Sequence, residues 1–112
     1  MAVESLESVD TFHSLVKGDQ PILVMFTAPS DPASTASVPV FKELSDVPEH
    51  SGVLFMLADV EAHPGLAAAV QLATVPCFQL YRQSRMVSSV HGDDRSELDA
   101  LVKWAVESVV VR

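Results

Sequence analysis

Residues 21 to 44 read PILVMFTAPSDPASTASVPVFKEL, and the way this stretch divides decides the fold. Ile22-Leu23-Val24-Met25-Phe26 is an unbroken apolar run between Pro21 and the Ala28-Pro29-Ser30 break. A run without polar alternation predicts a strand buried on both faces, as inside a parallel sheet. Asp31-Pro32 then predicts a helix start. The carboxylate accepts from orphan N–H groups of the first turn, and proline is tolerated at the first helical position. Val40, Phe41 and Leu44 continue at helical spacing, and Pro39 inside the pattern predicts a kink. A buried strand running into a helix N-terminus favours chemistry, because exposed N–H groups and the helix dipole stabilise anions there.

On the N-terminal side, Ala2 to Leu6 is expected to form a short edge strand. Ser8 or Asp10 caps a helix whose Phe12, Leu15 and Val16 form an i, i+3, i+4 stripe, and Lys17-Gly18-Asp19 ends it. On the C-terminal side, Val47 to Gly52 is a loop rich in breakers, and Val53 to Val60 is a second, nearly continuous apolar strand. Pro64-Gly65 opens an alanine-rich helix reaching Gln71. Cys77 to Tyr81 alternates like a strand, with Met86 to Val90 as its hairpin partner across Arg82-Gln83-Ser84-Arg85. Asp94 or Ser96 caps a last helix carrying Leu98, Leu101, Val102, Ala105 and Val109 on one face. The order is β-α-β-α-β-α-β-β-α. It predicts an α/β fold with a mixed central sheet and helices on both faces.

The 112 residues fit one domain, 1–112, and 48% hydrophobic content is enough for a packed core. A net charge of −8 argues against nucleic acid or an anionic membrane as partner, since both demand a basic face. One cysteine forms no internal disulfide, which points to a reducing compartment. MAVESLES has neither a basic nor an apolar leader region, and no run reaches membrane-spanning length, so a soluble cytoplasmic protein is expected. His13, His50, His63 and His91 lack ligand spacing, so neither a metal nor another cofactor is expected.

The opening stretch also resembles the active-site region of the thioredoxin family, whose pattern is roughly F-x-A-x-W-C-G-P-C-x-x-x-x-P. It fits without gaps from Phe26 through Pro39. Phe26, Ala28 and Pro39 match, but Asp31-Pro32-Ala33-Ser34 stands where the family has its two cysteines, and Ser30 where it has tryptophan. The segment from Asp59 to Ala67 is similar to the family's D-V-D-x-N-P-x-L-A. Thr74-Val75-Pro76 resembles its S-I-P, where the proline is cis and faces the active-site helix. Val90-His91-Gly92 falls on the V-x-G before its last helix.

The resemblance implies a thioredoxin fold without dithiol chemistry. Asp31 cannot attack a disulfide, and Ser34 cannot resolve a mixed one. The family's buried aspartate falls on Met25 and its opposing lysine on Leu57, so the proton-handling pair has become apolar. Cys77 is the one thiol left, directly after Pro76. It is read as a packing cysteine, with a one-cysteine redox role as the alternative. The family's peptide groove needs no cysteine, and Ser30, Asp31, Pro32, Ala33, Val75, Pro76, His91 and Gly92 would line it here. The expected function is therefore a binding or adaptor module for a protein or extended peptide. The chain also looks like the thioredoxin-type domains of multidomain monothiol glutaredoxins, but keeps no cysteine in the motif. Trp104 lies off the apolar stripe of the last helix. It either leans over a neighbouring element or anchors a partner, a homodimer among the options.

Overall fold

The run at residues 22–27 forms strand β2, Ile22–Thr27, every residue of which is buried in the computed structural model. The structure describes residues 3–109. Before β2 come β1 (Val3–Ser5) and helix α1 (Val9–Val16). After it come α2 (Pro32–Ser45), a 3₁₀ turn at Pro48–His50, β3 (Leu54–Asp59) and α3 (Pro64–Ala69). The hairpin β4 (Cys77–Arg82) and β5 (Arg85–His91) and the helix α4 (Arg95–Glu107) close the chain.

One five-stranded sheet runs in the order β1-β3-β2-β4-β5. The strand pairs β1–β3 and β2–β3 are parallel, whereas β2–β4 and β4–β5 are antiparallel. β2 is thus the middle strand and is covered on both faces, which is why it carries no polar alternation. Leu23 and Met25 join Phe41, Phe55, Phe78, Leu80, Leu98 and Leu101 in a core formed with α2 and α4. Ile22, Val24 and Phe26 join Leu6, Phe12, Leu66, Cys77 and Tyr81 in a second core formed with α1 and α3. Each large side chain so buried contributes about 1.5–3 kcal/mol.

The caps follow the short polar side chains. Ser8 accepts from the Thr11 N–H, Asp31 from Ser34 and Asp94 from Glu97, so Asp10 and Ser96 are not the caps. α2 runs on through Pro39, which has no N–H to offer the Thr35 carbonyl. α3 stops before Gln71, whose φ of 53° breaks the helical path. Val53 and Val60 flank β3 rather than belonging to it, and Ala2 lies outside the described residues.

The four-residue connection expected at Arg82–Arg85 tightens to a two-residue turn. Gln83 and Ser84 have φ of 51° and 66°, a conformation usually left to glycine or asparagine. The end of α1 holds it. The Gln83 N–H donates to the Gly18 carbonyl at 3.1 Å, the Ser84 N–H to the Val16 carbonyl, and the Gln83 amide to Asp19 at 2.8 Å.

Candidate functional site

Two loops leave the sheet at the same end. β2 and β4 are antiparallel with Phe26 opposite Cys77, so the Ala28–Asp31 turn after β2 adjoins the Val75-Pro76 segment before β4. The Val75-Pro76 bond is cis. Pro76 is buried, and its carbonyl accepts from the Gly92 N–H at 2.8 Å, which ties the start of β4 to the end of β5. Val75 is half-buried, His91 and Ser30 are exposed, and Gly92 sits at φ 102° with open space around it. The N–H and carbonyl of Val75 make no main-chain hydrogen bond among the described residues.

The turn into α2 is firmly held. The Asp31 N–H closes it on the Ala28 carbonyl at 2.9 Å, and the Asp31 carboxylate accepts from the Ser34 N–H at 2.9 Å. The Thr35 hydroxyl donates back to the Pro29 carbonyl at 3.1 Å. Ser30 is clamped from outside, its N–H donating to Glu61 at 2.9 Å and its hydroxyl to the other oxygen of the same carboxylate. Glu61 is itself placed by a turn in which Asp59 accepts from the Glu61 and Ala62 N–H groups at 2.9 and 3.0 Å. The Asp59 turn is legible in sequence as an Asx turn. The Glu61–Ser30 clamp joins residues 31 positions apart, and no local signal announces it.

The four residues at the head of α2 offer no nucleophile. Asp31 is engaged as the cap, and Pro32 and Ala33 have no reactive group. The hydroxyl of Ser34 is fully buried and has no hydrogen-bond partner among the described residues. Beneath them Met25 and Leu57 stand opposite one another in the β2–β3 ladder, Met25 being completely buried. Leu57, Val38, Pro39 and Pro29 help to line an apolar pocket of about 310 Å³ at this point. Neither member of the pair can carry a proton.

The thiol lies elsewhere. Cys77 is 0% exposed and belongs to the α1/α3 core. A chain of polar contacts passes through it. The Tyr81 hydroxyl donates to the Gln79 side-chain oxygen, and the Gln79 amide donates to the Cys77 sulfur at 3.8 Å. The sulfur lies 3.6 Å from His91 Nδ1, and His91 Nε2 lies 3.2 Å from the Ser89 hydroxyl at the surface. Burial pushes the Cys77 thiol above its ordinary value, partly offset by the Gln79 donation. Tyr81 is pushed up to about 12 by burial first and by the neighbouring sulfur second. A thiol held protonated and out of contact with solvent is a poor nucleophile.

The remaining candidates have structural roles or stay apart. His50 Nδ1 contacts the Leu44 carbonyl at 2.7 Å and the ring stacks on Phe55. Among the described residues no three His, Cys, Asp or Glu side chains group as metal ligands would, and no helix is long and apolar enough to cross a membrane. Trp104 is 47% exposed and lines a groove with Ser88, Ser89 and Val90 of β5, so it both leans over a neighbour and faces outward.

Comparison with known proteins agrees with the fold. Residues 3–107 match the model of the thioredoxin family. The chain belongs to that family. The thioredoxin of Equus caballus is 26% identical over 106 residues, covering 93% of this chain and 99% of its relative. That of Rattus norvegicus is 28% identical over 102 residues, covering 89% and 95%. Among solved structures, the thioredoxin of Malassezia sympodialis superposes with a TM-score of 0.89 at 26% identity, covering 95% of both chains. The chain has a single cysteine, so it holds no internal dithiol.

Proposed function

We propose that this thioredoxin-family chain is a binding module that grips an extended peptide segment of a partner protein, and that it does not reduce disulfides through the head of α2. The observation that carries this reading is a separation of thiol from groove. The one cysteine, although it follows Pro76, is sealed in the core, whereas Val75 is half-buried with no main-chain hydrogen bond among the described residues and Gly92 has open space around it. A main-chain N–H and carbonyl without a partner among the described residues, on a half-buried segment, invite a third main chain, and pairing with an extended peptide satisfies both. Asp31-Pro32-Ala33-Ser34 then shapes one wall of the groove, with the Glu61 clamp keeping Ser30 in place.

A second reading, redox work through Cys77, draws on the 3.6 Å contact between its sulfur and His91 Nδ1, since an imidazole beside a thiol is able to take its proton. The two readings separate in one experiment. Amide NMR shifts are followed while extended peptides of varied sequence are titrated into the protein and into Cys77→Ser. The binding reading expects shifts at Val75, Gly92 and Ser30 that the substitution leaves unchanged, together with no turnover in a reductase-coupled disulfide assay. Capture that depends on the sulfur, or measurable turnover, overturns it.

A further inference from the structure

We infer that the free edge of β5 is a docking surface for a second copy of this chain, the two β5 strands pairing antiparallel about a two-fold axis near Ser89. This inference stands independently of the peptide-binding reading.

The two edges of the sheet are unlike. β1 has three residues, the usual way of making an edge harmless. β5 has seven residues, none of them proline, and its outer side is uncovered. Among the described residues the two exposed large hydrophobic side chains are both found here: Met86, 52% exposed in β5 itself, and Trp104, 47% exposed beside Ser88, Ser89 and Val90. A strand edge flanked by apolar side chains is the pattern of a surface that is covered in use.

Charge selects the occupant. The chain carries −8 overall, yet β5 contains no carboxylate and begins with Arg85. Just past its other end lies Asp93. Both are exposed, and neither side chain has an ion-pair or hydrogen-bond partner among the described residues. At about 3.3 Å per residue the two ends of β5 are roughly 20 Å apart, so Arg85 and Asp93 cannot meet within one chain. In a second copy run antiparallel they can. Pairing Ser89 with its own counterpart sets Ser88 against Val90 and brings each Arg85 to the other copy's Asp93. The bulge after Leu80 makes Val87 an extra residue and offsets this by one position, within reach of an arginine. Met86 then falls near Gly92 of the other copy, where a side chain would meet nothing within 4 Å. A two-fold axis through the sheet also brings the two α4 helices together, with Trp104 between them. The other carboxylates nearest the seam, Asp94 beside Asp93 and Glu97 in the Trp104 groove, oppose the pairing, so added salt is expected to weaken this repulsion as well as the Arg85–Asp93 attraction.

The test is a charge swap read by sedimentation equilibrium, with circular dichroism to show that each variant is folded. The wild type is expected to form a dimer. Arg85→Glu and Asp93→Arg, each placing like charges together, are each expected to weaken it at least about tenfold. The double variant R85E/D93R restores the pair with its signs reversed and is expected to recover most of the affinity. Lys42→Glu, on α2 away from β5, makes the same change in net charge as Arg85→Glu and is expected to leave the dimer intact. Monomer throughout at about 1 mM protein, a dimer indifferent to both single substitutions, or a double variant no better than either single one overturns the inference.

Discussion

The head of α2 and the start of β4 lie at the same end of neighbouring strands, and they have divided between them what a dithiol site keeps together. The first has position: a helix N-terminus, a capped turn and a loop clamped by Glu61, but no sulfur. The second has the sulfur, but at 0% exposure and with its pKa raised by burial. Reactivity requires both at one point, and this separation is the physical ground of the proposed binding reading. The apolar Met25–Leu57 pair beneath the loop fits the same conclusion, since a site that moves no protons gains from filling that space with carbon.

The largest blow to this division would be to return charge beneath the loop. Met25→Asp places a carboxylate in a fully buried position opposite Leu57 and is expected to cost about 3–5 kcal/mol in urea unfolding at neutral pH. Burial raises the folded pKa of the new carboxyl above its ordinary value of about 3.9. The cost is therefore smallest below that pH and grows as pH rises. Adding Leu57→Lys is expected to recover part of the loss.

The other side is tested at the sulfur. Cys77→Ser shrinks a fully buried group and makes it more polar, at an expected cost of about 1–2 kcal/mol with peptide binding unchanged. Alkylation of native Cys77 is expected to proceed only through opening of the structure, becoming fast when the chain unfolds. Because the folded thiol titrates above its ordinary 9.0, its share of stability is complete below that pH and falls as pH rises past it. Tyr81, raised to about 12, extends the loss upward. Cys77→Ala is expected to flatten the alkaline limb of a stability–pH curve.

Two smaller changes sharpen the account of the α2 head. Asp31→Ala removes the cap and is expected to lower stability by about 1 kcal/mol, whereas Asp31→Ser retains it. Ser34→Ala deletes a buried hydroxyl that has no partner and is expected to raise stability by up to about 1 kcal/mol. A loss there instead would mean that the hydroxyl is satisfied in solution.

Much of the frame was legible in the chain because it is written locally. An apolar run too continuous for a half-exposed strand marked β2, and a short acidic side chain ahead of proline marked the start of α2. The site was less legible, because its decisive contacts join distant residues. Ser30 meets Glu61, and Cys77 meets His91 across a hairpin whose register contains a bulge. The alternation Cys77-Gln79-Tyr81 against Phe78-Leu80 does not tell which side of β4 is inward, for a physical reason: both sides are, each facing its own core. The tight turn at Gln83-Ser84 escaped for a similar reason. Its left-handed residues are held by the end of α1, and nothing in the hairpin itself encodes them.

Trp104 is the chain's single tryptophan, and half of it faces solvent on α4 beside β5. Its light emission therefore reports on one face only. Whatever approaches β5 should shift the colour or intensity of that emission, while events at the Ser30 loop, ringed by residues that emit little, should pass in the dark. A spectrometer thus tells an occupied edge from an occupied groove without a label having been attached.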